Sequence, residues 1–296
     1  MNLRYFTIGT IVVIVVWLSY LRPPLAPIER EVYISPGGVS HVAEVLKKHD
    51  VIVSADAFSL FAILFGGARY GTYTFTNTPS VIEVAWRVAR GIEGTPLVKV
   101  TVPEGSSNRD VARILSAALP AFDAELFVKK ALRHEGYLFP DTYYFSPSVS
   151  PDTVIEAMRD TYLERTGGTP TRNEVIMASL LEKEARKFET RQMIAGILWK
   201  RLEVGMPLQV DAVFAYIEDK PTFSPTFDQL KVESPYNTYT NVGLPPGPIG
   251  NPGLEALRAA MQPTESQYWY YLTGVDGTMH YATTFDQHVA NRQFLR

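Results

Sequence analysis

Hydrophobic and polar positions divide the chain into stretches of different texture. From Tyr5 to Leu21 the sequence YFTIGTIVVIVVWLSYL runs 17 residues without a charge. A helix of that length spans about 25 Å, near the lower limit for crossing a bilayer. Arg4 and Arg22 bracket it, and Tyr5, Trp17 and Tyr20 stand where interfacial aromatics lie. A cleaved signal peptide is the competing reading. The Arg22-Pro23-Pro24-Leu25-Ala26-Pro27 that follows lacks a small-x-small site, which favours an uncleaved anchor. Residues 22–30 read as a proline-rich linker, and residues 1–21 as a cytoplasmic stub plus transmembrane helix.

A strand–turn–helix pattern then appears twice. Val32-Tyr33-Ile34 and a Pro/Gly turn lead into Val42-Ala43-Glu44-Val45-Leu46, and Val100-Thr101-Val102 with its own turn leads into Val111-Ala112-Arg113-Ile114-Leu115. Between the copies lie a helix-like run from Ala57 to Phe65, a strand signal at 71–75 and a helix at 80–90. Residues 31–133 are expected to form a small α+β module. Such units resemble LysM-type modules, which bind N-acetylglucosamine polymers, although strand–turn–helix is also a common folding unit with no ligand.

From His134 the texture turns aromatic, with Glu135-Gly136-Tyr137-Leu138-Phe139-Pro140 through Phe145, then Ser234–Tyr239, then a Gly/Pro-rich run at 243–253. Dense loops of this kind commonly build a cleft, and aromatic faces edged by amides and carboxylates suit sugar rings. The competing reading is that the aromatics are core. Helices are expected at about 151–164, 172–187, 191–204 and from 252 to before Pro263, with a hairpin at 268–283.

The candidate chemistry lies in Ile176–Arg186. At 100° per residue Met177, Leu180, Leu181 and Glu184 share one stripe, which places Glu184 with the buried residues. Glu182 is expected to pair with Arg186 on the surface. A desolvated carboxyl has a raised pKa and can donate a proton near neutrality, as glycosidic cleavage requires. The alternative is a Glu at the stripe's end that reaches solvent.

Composition narrows the field. The chain has 296 residues, is 46% hydrophobic and carries a net charge of −3, which excludes a disordered polymer and gives no electrostatic grip on nucleic acid. No cysteine is present, so disulfides, thiolate metal sites and cysteine nucleophiles are excluded. No metal-ligand spacing, nucleophile elbow or phosphate-binding loop occurs around the five histidines or the glycines. Neither metal nor cofactor is expected.

The motifs EGYLFPDTYYF (135–145), MASLLEKE (177–184), KRLEVGMPLQVDAVFAY (200–216) and SPYNTYTNVGLPPGPIGNPGLEALRAAMQP (234–263) resemble, in order and spacing, the endolytic murein transglycosylases of the MltG (YceG-like) family. The resemblance covers about residues 30–296. It implies a LysM-like module followed by an α+β catalytic domain (134–296), with Glu184, the second glutamate of E-K-E, as the catalytic residue. Glu135, Gln209, Asp211, Tyr236 and Asn237 are implied as substrate-binding or supporting residues. The implied reaction cleaves the MurNAc–GlcNAc β-1,4 bond inside glycan strands with 1,6-anhydro-MurNAc formation. The implied partners are peptidoglycan strands, the membrane and cell-wall synthesis enzymes. One arginine on each side leaves the orientation of the apolar run open. A wall-cutting domain implies a single-pass protein of the bacterial cytoplasmic membrane, N-terminus inside and catalytic domain outside. The competing class is a non-catalytic peptidoglycan-binding tether. One loop departs from the family's L-Q-T-D-P-T: Val210 and Ala212 stand where it has a hydroxyl and a proline.

Overall fold

The computed structural model describes residues 28–77, 79–92, 98–220 and 225–295. The apolar run 5–21 lies outside the described residues. Among those that are described, no helix is long and apolar enough to cross a membrane. The fold is α+β, with helices dominating and, among the described residues, three separate two-stranded antiparallel sheets. The chain divides into two compact units. One runs to Thr101 and takes in Arg113–Phe127 and Thr142–Ala157. The other comprises Val102–Ala112, Val128–Asp141 and Met158 onward.

In the first unit, β1 (Ile28–Ile34) pairs with β2 (Gly71–Asn77), Ile34 opposite Gly71. The strand begins inside the stretch expected as linker, because pairing with β2 recruits Ile28–Glu31 into the ladder. Helices α1 (Val39–Lys48), α2 (Ala55–Leu64) and α3 (Val81–Arg90) cover the core of Val32, Ile34, Leu46, Phe58, Tyr73, Phe75 and Val84. Ser54 and Ser80 start α2 and α3 by accepting the N–H three residues on. The second sequence copy supplies β3 (Val98–Thr101) and α4 (Asn108–Ala118), followed by α5 (Ala124–Ala131). β3 pairs with β4 (Thr142–Phe145), so residues 142–157, beyond the expected boundary at 133/134, group with the first unit. Tyr143 and Phe145 alternate inward from β4 and are buried, so these two aromatics are core.

α6 (Pro151–Thr166) leads into the second unit, which is organised around α7 (Arg172–Glu184). α7 opens with a reciprocal capping box between Thr171 and Glu174. Its residues Val175–Leu181 are all buried, among α8 (Phe188–Glu203), α9 (Ala212–Glu218), α10 (Leu254–Met261) and the intervening loops. β5 (Tyr270–Thr273) and β6 (Met279–Ala282) form the expected hairpin, followed by α11 (Phe285–Asn291).

A polar knot holds the loops of this unit. Asn251 is fully buried; its amide donates to Ser106 O and Asn108 Oδ1 and accepts from the Leu138 N–H at 2.9 Å. Gly105 and Asn251 add backbone bonds of 2.7 and 2.9 Å across the same seam. Donors and acceptor of the Asn251 amide are all engaged, which is the condition under which a buried polar group fixes a structure instead of weakening it.

Candidate active site

Glu184 is the last residue of α7, where the chain leaves the helix through extended Ala185. Half-buried there, it accepts a hydrogen bond at Oε2 from the Tyr271 hydroxyl on β5, at 3.0 Å. Desolvation pushes its carboxyl up to about 7. The charge of Asp211 pushes the same way, while Tyr271 and the Arg201 guanidinium pull it down. Burial holds the Tyr271 hydroxyl well above its ordinary value, so it remains a donor.

Arg201 comes from α8 and is itself buried. It donates to Leu208 O at 2.7 Å and to Trp269 O at 2.8 Å, and its guanidinium lies over the Tyr270 ring, 5.4 Å from the centroid. One side chain thus ties the loop before α9 and the start of β5 to α8. The loop follows from its own pattern. Leu208 and Val210 are buried, and Gln209 between them takes a left-handed φ of 53°. That conformation is unfavourable for a residue with a side chain, and it leaves Gln209 and Asp211 exposed. Thr238 stabilises it by accepting from Gln209 N–H (3.1 Å) and, through its hydroxyl, from Val210 N–H (2.9 Å). Asp211 Oδ1 accepts from the Tyr239 hydroxyl. Of the two residues that depart from the L-Q-T-D-P-T pattern, Val210 fills core, and Ala212 is the first residue of α9, a position that favours proline without requiring it.

Tyr236 and Asn237 lie in the loop behind. Asn237 is fully buried, its amide donating to Leu230 O and Val232 O and accepting from Tyr239 N–H, so it shapes the loop that carries Tyr239. Tyr236 packs on Tyr216 of α9, ring centroids 5.0 Å apart.

Glu135 forms a second centre. Its Oε1 accepts from Asn108 N–H at 3.0 Å and its Oε2 from the Tyr216 hydroxyl at 3.4 Å. Burial raises this carboxyl too to about 7, against the pull of those bonds and of Arg109, whose guanidinium lies over the Tyr216 ring. Gly136 follows with φ 86°; a Cβ there would meet Pro248 Cγ at 2.5 Å, so the turn that aims Glu135 needs glycine. The structure therefore gathers Glu184 with Asp211, and Glu135 with Tyr236 through Tyr216, the two groups linked by α9.

One expectation is overturned. Glu182 does not pair with Arg186 on the surface: its side chain is 5% exposed, ion-paired with equally buried Arg191 of α8, and accepts from Gly253 N–H at 2.9 Å. A helical wheel misplaces it because α7 is enclosed on nearly all sides and has no broad solvent face to assign. Sequence reasoning singles out none of Tyr271, Arg201, Tyr239 and Arg191: Arg201 and Tyr239 fall inside the quoted motifs, but no periodicity or spacing marks any of the four.

Residues 32–293 match the family model described as the YceG-like family. The chain belongs to the YceG-like family. It is 31% identical to the endolytic murein transglycosylase of Bacillus subtilis, over 91% of this chain and 87% of that one. It is 27% identical to the endolytic murein transglycosylase of Streptococcus pneumoniae serotype 2, over 92% of its own length and 60% of that larger relative. Among solved structures, a yceG-like protein from Listeria monocytogenes matches with a TM-score of 0.58 and 26% identity, over 89% of this chain and 99% of that one.

Proposed function

We propose that this YceG-like chain is an endolytic lytic transglycosylase that cuts peptidoglycan strands between MurNAc and GlcNAc. The observation that carries the reading is Glu184: a carboxyl raised to about 7 by burial, one oxygen engaged by Tyr271, in a family whose named relatives are murein transglycosylases. Two-carboxylate glycosidases need a second group to activate water or attack the sugar. A transglycosylase needs one, because the substrate supplies its own nucleophile. Protonated Glu184 gives its proton to the bridging oxygen as the C1–O bond breaks. The resulting carboxylate takes the proton of the muramic C6 hydroxyl, whose oxygen closes on C1 as the 1,6-anhydro ring. The proton on Glu184 is restored and no water is consumed. Tyr271 keeps Oε2 occupied and so leaves Oε1 to carry the proton.

Around it, Asp211 and Gln209 on their exposed loop, the Tyr216–Tyr236 pair and Glu135 supply polar edges and aromatic faces for neighbouring sugars, with Asn237 supporting from behind. In the finer assignment the LysM-like module, expected at 31–133, is the unit that also takes in Thr142–Ala157, and the catalytic domain, expected at 134–296, is the unit that carries Glu184. The apolar run 5–21 anchors the chain in the bacterial cytoplasmic membrane with the N-terminus inside, close to enzymes of wall synthesis.

The test incubates the protein and its Glu184→Gln variant with purified peptidoglycan and identifies the products by mass spectrometry. The variant is expected to lose roughly 10²–10⁴-fold in rate. Anhydro-muramyl ends formed as fast by the variant would remove Glu184 from the mechanism. Reducing ends from the parent protein would make it a hydrolase, and no cleavage at all would leave a binding tether.

A further inference from the structure

Helix α2 (Ala55–Leu64) is unlike its neighbours. α1 ends in Lys47 and Lys48, and α3 carries exposed Glu83 and Arg90, so each has charge set against its buried stripe. α2 has one charge, Asp56 in its first turn, and from Ala57 to Ala68 the chain AFSLFAILFGGA has none. Ala57, Phe58 and Ala62 face the core. Leu60, Ile63 and Leu64, at i, i+3 and i+4, form a second stripe that is 59, 66 and 69% exposed. A helix apolar all round belongs in a core or in lipid, and this one is half out of its core. α3, which packs against α2, also exposes Ile82 and Trp86. Just past α2 come exposed Arg69 and Tyr70, a cation and an amphipathic ring of the kinds found at membrane–water interfaces.

The length of chain preceding β1 says what lies within reach. The apolar run ends at Leu21, and β1 of this same unit begins at Ile28. The six residues between span about 20 Å at most. β1 is itself about 20 Å long. Its far end, Ile34, pairs with Gly71, just beyond α2. The α2 side thus stays within about 40 Å of the end of the apolar run, and a unit tethered by one end of β1 brings α2 to the bilayer surface if it lies over on that side.

We infer that the exposed face of α2, Leu60, Ile63 and Leu64, docks into the headgroup–acyl boundary of the membrane that anchors the chain. The inference rests on the anchor reading above. Docking by a short apolar stripe adds to the tether what the tether lacks: it fixes tilt as well as distance, and so sets how the LysM-like unit is presented.

Because the chain has no cysteine, single-cysteine variants of the full-length protein report position directly. Ile63→Cys, Lys47→Cys on the exposed part of α1, and Ile14→Cys in the apolar run would each carry an environment-sensitive fluorophore. The proteins would be reconstituted into phosphatidylethanolamine–phosphatidylglycerol vesicles containing lipids spin-labelled at shallow or deep acyl positions. The expected result is about twofold quenching at position 63 by the shallow label and none at 47. Adding Leu60→Glu and Leu64→Glu to the Ile63→Cys protein should abolish it, with circular dichroism confirming the fold. Quenching at 14 with none at 63 overturns the docking and leaves the anchor standing. Absence of quenching at both overturns docking and anchor together. Persistence of the signal in the glutamate variant, or disulfide-linked dimers through position 63 without quenching, overturns it in favour of another occupant such as a second copy of the chain.

Discussion

Glu184 is poised between neighbours of opposite effect, and that makes its role testable without removing it. The Asp211 charge raises its pKa; the Tyr271 hydrogen bond lowers it. A general acid works while protonated, so the cleavage rate should be level at low pH and fall as pH rises through about 7. Asp211→Asn removes a raising influence, and the fall should begin at lower pH. Tyr271→Phe removes a lowering one, and the fall should begin at higher pH. Rates of anhydro-muramyl release from pH 4 to 9 for the three proteins check this; displacement of both variants in the same direction would contradict the assigned polarity. Glu184 and Asp211 are legible from the helical stripe and the family motifs. Tyr271 and Arg201 are not, because they reach the site through the hairpin and α8, and a hydroxyl or guanidinium arriving from elsewhere in the sequence leaves no periodic trace beside Glu184.

At the scale of elements, the enclosure of α7 is the decisive fact. Strand–turn–helix repeats, caps and the C-terminal hairpin can be read because each is a local pattern. Two things cannot. The β3–β4 pairing joins residues about 40 positions apart, and the aromatic run at 142–145 looks like a loop until a partner strand is known. Likewise a helix buried nearly all round gives no polar face, so the pattern assigns Glu182 to solvent, whereas it lies ion-paired with Arg191. That pair predicts an asymmetry. Arg191→Met leaves a buried carboxyl with the Gly253 N–H but no guanidinium, and should cost about 3–5 kcal/mol in urea unfolding. Adding Glu182→Gln removes the stranded charge and should return most of that loss. A double variant as unstable as the single one would show that Arg191 acts through packing and its bond to Ala185 O instead of through Glu182.

For the whole molecule, the site is a source of instability with a definite pH signature. Glu135 and Glu184 both move from 4.5 to about 7 on folding, and Glu182 is also raised, in each case chiefly by desolvation. A carboxyl raised in the folded state holds its proton where the unfolded chain has lost it. Well below pH 4.5 both states are protonated and folding loses nothing. Between 4.5 and 7 the unfolded state is progressively favoured, and above 7 the penalty is complete, at most about 3 kcal/mol for each of Glu135 and Glu184. Stability should therefore decline from pH 5 to pH 8. Glutamine at either position has no charge to desolvate, so the advantage of Glu184→Gln and of Glu135→Gln over the parent should be small near pH 5 and clearly larger at pH 8. Urea midpoints at the two pH values decide the matter, and a Glu184→Gln gain of the same size at both would mean that Glu184 is ionised in the folded protein throughout and is not the proton donor.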